Sequence, residues 1–278
     1  MLFLPLRVHE PAPEAVALYE RWLAEIAAEL SRADGDRNAL CVRVLSELYS
    51  VGGREAGAGA KEAPLGARVA RAQLDPRNVT LEPEYYAEVD PERYARVKPL
   101  LWMWQMFDRS PAGQNVHLGV AFRRTLAPHI FKRCGRNFKA FHFVEFSFGY
   151  NLEVGDDVVV HRHVLLDDRG GIVLGDRVSI ADYANIYSHT HSIVDQRDVT
   201  NARTVLEDDV RITYHATVLA GVRVGRNAMV GACAVATRDV RPYHVNVGIP
   251  AKSVRVKPGA PSDSESDTTA VKSKAAQD

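Results

Sequence analysis

Two short patterns in this 278-residue chain carry side chains suited to chemistry. His161-Arg162-His163 and His189-Thr190-His191 each set two imidazoles two residues apart, and Asp167-Asp168 lies between the pairs. A neutral imidazole, with an ordinary pKa of ~6.5, takes a proton from an alcohol near neutrality. The same nitrogen also ligates divalent metals. Cysteine chemistry has less support. Cys41, Cys134 and Cys233 are far apart, odd in number and form no Cys-x-x-Cys pair. That spacing supports neither a disulfide framework nor a Cys-ligated zinc, and it fits a reducing cytoplasm.

The elements that position these residues are legible from Val154 onward. Read in sixes, the first positions are Val154, Val160, Leu166, Leu174, Ile180, Ile186, Leu206, Ile212, Val218, Val224, Val230 and Ala236. All but Ala236 are Val, Ile or Leu. The fifth positions, among them Val158, Val178, Ala184, Val210 and Ala216, are mostly small or β-branched; Gly170 and Thr190 also fall there. Self-similarity at a fixed short period marks a solenoid, and six residues are too few for a helical repeat. Three sixes close one coil, so a prism with three flat faces follows. The repeat breaks twice. Two residues are extra before Leu174, and a 14-residue insertion runs from Ser192 to Val205. An insertion in a repeat array is a loop off one face, often the binding face. It opens immediately after the second histidine pair.

Ahead of the repeat, residues 1–110 read as helical. Tyr19, Trp22, Leu23, Ile26 and Leu30 recur at three and four, and Cys41, Val44, Leu45 and Leu48 repeat the pattern. Asp90-Pro91-Glu92 is a helix start, and Pro99 should kink or restart that helix. Gly52–Gly66 reads as a flexible loop, and the polar tail 259–278 as disordered. The opening MLFLPLRVHEP lacks a basic lead and a cleavage site, so no signal peptide is expected. No stretch is long and apolar enough to span a membrane.

Net charge is zero, which argues against a bulk polyanion binder such as a nucleic-acid protein. The zero conceals blocks: residues 111–143 carry +6, 144–205 carry −5 and 206–258 carry +4. The +6 connecting segment is a basic amphipathic stretch. Its ordinary reading is a solvated face over a packed one, with peripheral membrane contact as the alternative.

Three further pieces carry a family likeness over about residues 135–258. They are S-H-T-H-S at 188–192, V-G-A-C-A-V-A-T-R-D-V-R-P-Y at 230–243 and V-G-I-P-A-K-S-V-R at 247–255. The chain resembles the hexapeptide-repeat acyltransferases, most of all the galactoside, maltose and nodulation O-acetyltransferase group. The resemblance implies a mainly β fold, a left-handed parallel β-helix over 144–258, behind an α-helical N-terminal region. It also implies a homotrimer. The implied reaction moves an acyl group from acetyl-CoA, or another acyl-CoA, to a hydroxyl of a sugar or related small-molecule or glycan acceptor. No metal is expected.

The family's histidine base precedes the long loop in a T-H-P-type motif. Thr190-His191-Ser192 matches it with serine for proline, so His191 is the expected base and His189 the competitor. Matching positions for coenzyme A are Tyr214, Ala232, Thr237, Arg238, Lys252 and Arg255. His161, His163, Asp167 and Asp168 stand near the family's acceptor-binding places. The family's V-W-I-G is here Val210-Arg211-Ile212-Thr213, which alters a wall near the thioester. Two other classes follow from the same residues. The fold also hosts γ-type carbonic anhydrases with a three-histidine zinc, although their histidine spacing is not reproduced. A non-catalytic scaffold is the other.

Overall fold

The computed structural model describes residues 9–49 and 63–260. The opening apolar run, most of the glycine-rich stretch and nearly all of the polar tail lie outside the described residues.

Among the described residues, five α-helices precede the solenoid: α1 (Pro13–Leu30), α2 (Arg37–Leu48), α3 (Leu65–Ala72), α4 (Pro91–Arg109) and α5 (Val116–Ile130). Local chemistry starts most of them. Pro13 occupies the first turn of α1, where its missing N–H costs nothing. The Asp36 carboxylate accepts from the N–H groups of Asn38 and Ala39, and Asp90 accepts from Arg93. α4 runs unbroken through Pro99, which sits buried among Leu100, Leu101, Met103, Trp104 and Phe107. Packing on both α2 and α5 holds the helix together across the lost hydrogen bond. α3 uses the last residues of the glycine-rich stretch, which the sequence reading treats as loop.

The solenoid begins at Arg133 and has three parallel faces with one strand per face per coil. The first face stacks Arg133–Cys134, Leu152–Val154, Ile172–Leu174, Thr204–Leu206 and Arg223–Val224. The second runs from Lys139–Ala140 to Met229–Val230 and ends in His244–Val247 with the antiparallel strand Lys252–Val256. The third stacks Glu145–Phe146, Leu165–Asp167, Asn185–Tyr187, Thr217–Val218 and Val235–Ala236. All twelve first-position ladder residues are buried. One earlier rung, Cys134, Ala140 and Phe146, pairs with Val154, Val160 and Leu166. At ~1.5–3 kcal/mol per fully buried aliphatic side chain, the ladders are the main cohesive term of this half.

The corners explain the residues between strands. At the corner after the first face, Asn137, Asp157, Arg177, Asp209 and Asn227 have φ between 54° and 62°. Asn and Asp adopt that left-handed region more readily than most residues. A Cβ on Gly155 would come within 2.7 Å of the Gly175 backbone, so glycine there lets the next coil close in. At the corner after the second face, Phe143, His163, Tyr183 and His215 take positive φ as well. Their rings stack successively at 4.9, 4.7 and 4.9 Å, which offsets the strain of bulky residues in that region.

The helices are bolted to the first coil. Trp104 Nε1 donates to the Val144 carbonyl, Arg124 to Phe138 and Arg93 to Tyr150. Arg123, 1% exposed, pairs with buried Asp108 and donates to the Gly113 and Ala140 carbonyls. The cations of the +6 segment are divided between the junction and the surface. Arg123 and Arg124 point into the junction, while Lys132 and Arg136 pair with Glu153 and Asp156 of the next coil. Among the described residues, no helix is long and apolar enough to cross a membrane.

Candidate active site

The two breaks in the repeat meet at one place, the corner after the third face. By the six-residue count, Gly170 and Thr190 should point inward there. Instead the interior column is Phe148, Asp168 and Ser188, each 20 residues from the last and each buried. The two-residue excess thus brings a carboxylate inside. Asp168 accepts from the N–H groups of Phe148 (2.7 Å) and Asn151 (3.1 Å) and fixes the turn of the preceding coil. Burial pushes its pKa up to about 6 against these hydrogen bonds, which pull it down.

Its neighbour Asp167 ends the strand Leu165–Asp167 and faces the other way. The carboxylate accepts from Ser147 Oγ at 3.0 Å and contacts His189 Nδ1. Ser188 locks the backbone beneath: its hydroxyl donates to the Asp167 carbonyl (2.5 Å) and accepts from Gly170 N–H (2.8 Å). The insertion forms a hairpin, His189–His191 against Val199–Asn201. Strand alternation sends His189 and His191 to the same side, with ring centroids 5.3 Å apart. His191 is exposed, and its Nδ1 donates to the Gln196 carbonyl at 2.7 Å.

Both histidines open on a cavity of about 550 Å³ between the third face and the segment 82–88. Arg169, Ser147, Glu88 and Tyr86 line it and had no place in the sequence reading. Arg169 projects from the coil corner, bonds Glu88 at 2.5 Å and lies over the Tyr86 ring at 4.0 Å. Period 20 is the signal that could have found Ser147, because it precedes Asp167 by one coil. Glu88 and Tyr86 come from the helical region, and no repeat announces them.

The structure gathers only part of the expected acceptor set. Asp167 lies at the cavity with His189. Asp168 lies beneath it, wholly buried. His161 and His163 stand at a different corner, where His161 stacks on Phe141 at 5.0 Å and His163 joins the ring column. The two histidine pairs therefore do not converge. Among the described residues, no group of three or more His, Cys, Asp or Glu side chains could hold a metal ion.

The residues expected for coenzyme A lie toward the last coils. Tyr214 and Ala232 share the corner after the second face, where Cys233 N–H donates to the Tyr214 carbonyl. Thr237 and Arg238 follow the strand Val235–Ala236. Lys252 and Arg255 are on the final antiparallel strand, and Ala251 N–H donates to Val235 O, which ties that strand's start to the third face. Arg177, Arg203, Arg223 and Arg226 are each ion-paired. Arg238, Lys252 and Arg255 have no carboxylate partner among the described residues. Cations left free at one end suit a phosphate-bearing ligand. Arg211 is exposed, and Thr213 Oγ1 donates to the Val230 carbonyl at 2.8 Å, filling the place of the family's glycine.

No protein-family model matches the chain. Galactoside O-acetyltransferase of Escherichia coli is 25% identical over 169 residues, 59% of this chain and 79% of that protein. A tetrahydropyridine-dicarboxylate N-acetyltransferase of Ligilactobacillus salivarius is 53% identical over 51 residues, 18% of this chain and 22% of that one. Among solved structures, a maltose O-acetyltransferase from Clostridium difficile superposes with a TM-score of 0.53 at 22% identity, covering 62% of this chain and 91% of its own. A hexapeptide-repeat acetyltransferase from Vibrio cholerae, complexed with acetyl coenzyme A, gives 0.52 at 25% identity, covering 62% and 90%. In the sequence of its solenoid and in its fold, this chain is similar to the hexapeptide-repeat acyltransferases, with galactoside and maltose O-acetyltransferases among its relatives.

Proposed function

We propose that this protein is a coenzyme A-dependent O-acetyltransferase that acetylates a hydroxyl of a sugar or sugar-like acceptor. The observation that carries the proposal is a buried carboxylate set against an imidazole at the mouth of a cavity. The Asp167 carboxylate stands against His189 Nδ1 as the acceptor for its N–H, which leaves Nε2 as the basic nitrogen on the cavity side. A carboxylate in that role fixes the tautomer and stabilises the imidazolium that forms during reaction. His191 also keeps Nε2 free, but a neutral carbonyl on an exposed loop backs it. His189 is therefore the proposed base, and His191 a neighbour that lines the acceptor's path.

In the reaction the acceptor hydroxyl oxygen attacks the thioester carbonyl carbon as Nε2 takes its proton. The tetrahedral oxyanion collapses, the C–S bond breaks, and the imidazolium returns the proton to the departing thiolate. The products are an acetyl ester and free coenzyme A. Acetyl-CoA enters as a substrate, with its phosphates toward the free cations Arg238, Lys252 and Arg255. The comparison with a relative that binds acetyl coenzyme A supports this donor.

The test is acetyl-CoA with a panel of sugars, following free thiol and acetylated product. His189→Ala should lower kcat by ~10²–10⁴-fold, the usual scale of general-base help. His191→Ala should cost less. If His191→Ala is the more damaging of the two, the assignment passes to His191. If wild-type protein binds no acetyl-CoA, the transferase reading falls.

A further inference from the structure

Behind the His189 cavity lies a second compartment of about 220 Å³. It is wedged between the helical region and the first coils of the third face. The two share Glu82, Tyr86, Ser147 and Leu165 as walls, so the inner compartment adjoins the one on which the histidines open. The inner part adds Tyr94, Leu101 and Gln105 from α4, and Glu145 and Phe146 from the solenoid.

Its chemistry is mixed in a particular way. Tyr86, Tyr94 and Phe146 offer ring faces. Glu82, Glu145, Gln105 and Ser147 offer hydrogen-bonding groups around them. The Tyr94 hydroxyl is buried and has no hydrogen-bond partner among the described residues. A buried hydroxyl with no partner costs free energy, and one that lines a compartment recovers that cost if a ligand's polar group reaches it. Aromatic faces alternating with carboxylates, an amide and hydroxyls suit a pyranose ring, which presents C–H on its faces and O–H at its rim. Across the two compartments, Glu82, Glu88, Glu145 and Asp167 outnumber Arg169. An anionic acceptor would meet repulsion there.

We infer that the inner compartment is a subsite for a second sugar unit, so that the acceptor is a neutral glycan of at least two residues rather than a monosaccharide. This rests on the transferase reading above. The reacting unit sits against His189, and the next unit passes Tyr86 and lodges by Tyr94 and Gln105. The helical region, which contributes no base and no donor-binding residue, thereby selects the acceptor.

The experiment compares glucose with maltose, galactose with lactose, and N-acetylglucosamine with chitobiose. Both acetyl transfer and direct binding by calorimetry are read. At least one disaccharide should exceed its monosaccharide by tenfold or more in kcat/KM. Gln105→Trp, which plugs the compartment, should abolish that advantage. Tyr94→Phe, a milder change that preserves packing, should weaken disaccharide binding about three- to tenfold. Equal kcat/KM for monosaccharides and disaccharides overturns the subsite, as does an advantage that survives Gln105→Trp. If no sugar is acetylated but a disaccharide binds and Gln105→Trp abolishes binding, the subsite stands and the transferase reading falls. If no disaccharide binds, the subsite falls.

Discussion

Asp168 shows how far one residue's place can depart from its appearance in sequence. It reads as one of two acids in a turn, yet it is an interior residue held by backbone N–H groups. Its pKa stands at about 6 in the folded chain against an ordinary 3.8. The folded state therefore holds this proton more tightly than the unfolded chain does. The resulting stability is fully present below pH ~3.8 and is lost as pH rises through about 6. The full swing is roughly 3 kcal/mol. Asp168→Asn cannot titrate, so the difference in unfolding free energy between wild type and variant should change by about 1–3 kcal/mol between pH 4.5 and 7. Urea titrations at the two pH values check this, and parallel profiles would refute it. The histidine pairs, in contrast, were legible as candidates for chemistry from sequence, and the insertion marked the corner on which the cavity opens. What sequence could not supply was the carboxylate behind His189, because a two-residue excess decides which of Asp167 and Asp168 turns outward.

Among the elements, α5 is the instructive case. From its cations alone its ordinary reading is a solvated basic face over a packed apolar one. In the structure Arg123 is an internal strut that joins α4, the 111–114 turn and the second face through Asp108, Gly113 and Ala140. Burial raises the Asp108 pKa and lowers that of Arg123, against their mutual attraction. Removing one partner strands a buried charge, so Arg123→Ala should cost ~3–5 kcal/mol. Arg123→Met with Asp108→Leu should recover much of that loss. Thermal unfolding of the two variants checks the pair; equal loss in both would assign the cost to packing alone. α1 and α2 were legible because apolar residues at three and four need no distant partner, and α4 was legible from its Asp90-Pro91-Glu92 start. The first coil was not. Its ladder residues are Cys134, Ala140 and Phe146, which do not read as a Val/Ile/Leu rung until the next coil is laid beside them.

Across the whole molecule, the blocks of opposite charge become neighbours. One coil advances about 20 residues, so Arg136 meets Asp156 and Arg162 meets Asp182, while Arg177 reaches Asp209 across the insertion. Lys132 and Arg136 of the +6 block thus pair with Glu153 and Asp156 of the −5 block along the solenoid axis, while Arg238, Lys252 and Arg255 of the last coils have no carboxylate partner among the described residues. Such free cations should govern how donor binding responds to salt. Lys252→Ala with Arg255→Ala should weaken coenzyme A binding about three- to thirtyfold at low ionic strength, the scale of two exposed charge contacts. The deficit should shrink as added salt shortens the Debye length from ~10 Å at 0.1 M toward ~3 Å at 1 M. Arg162→Ala, which removes a cation already paired with Asp182, should leave affinity unchanged at every salt concentration. Calorimetry with coenzyme A across that range separates the cases. A double-variant deficit that does not change with salt would place the two cations away from the phosphates, and an equal loss in Arg162→Ala would mean that overall charge, not the free end of the solenoid, draws the donor in.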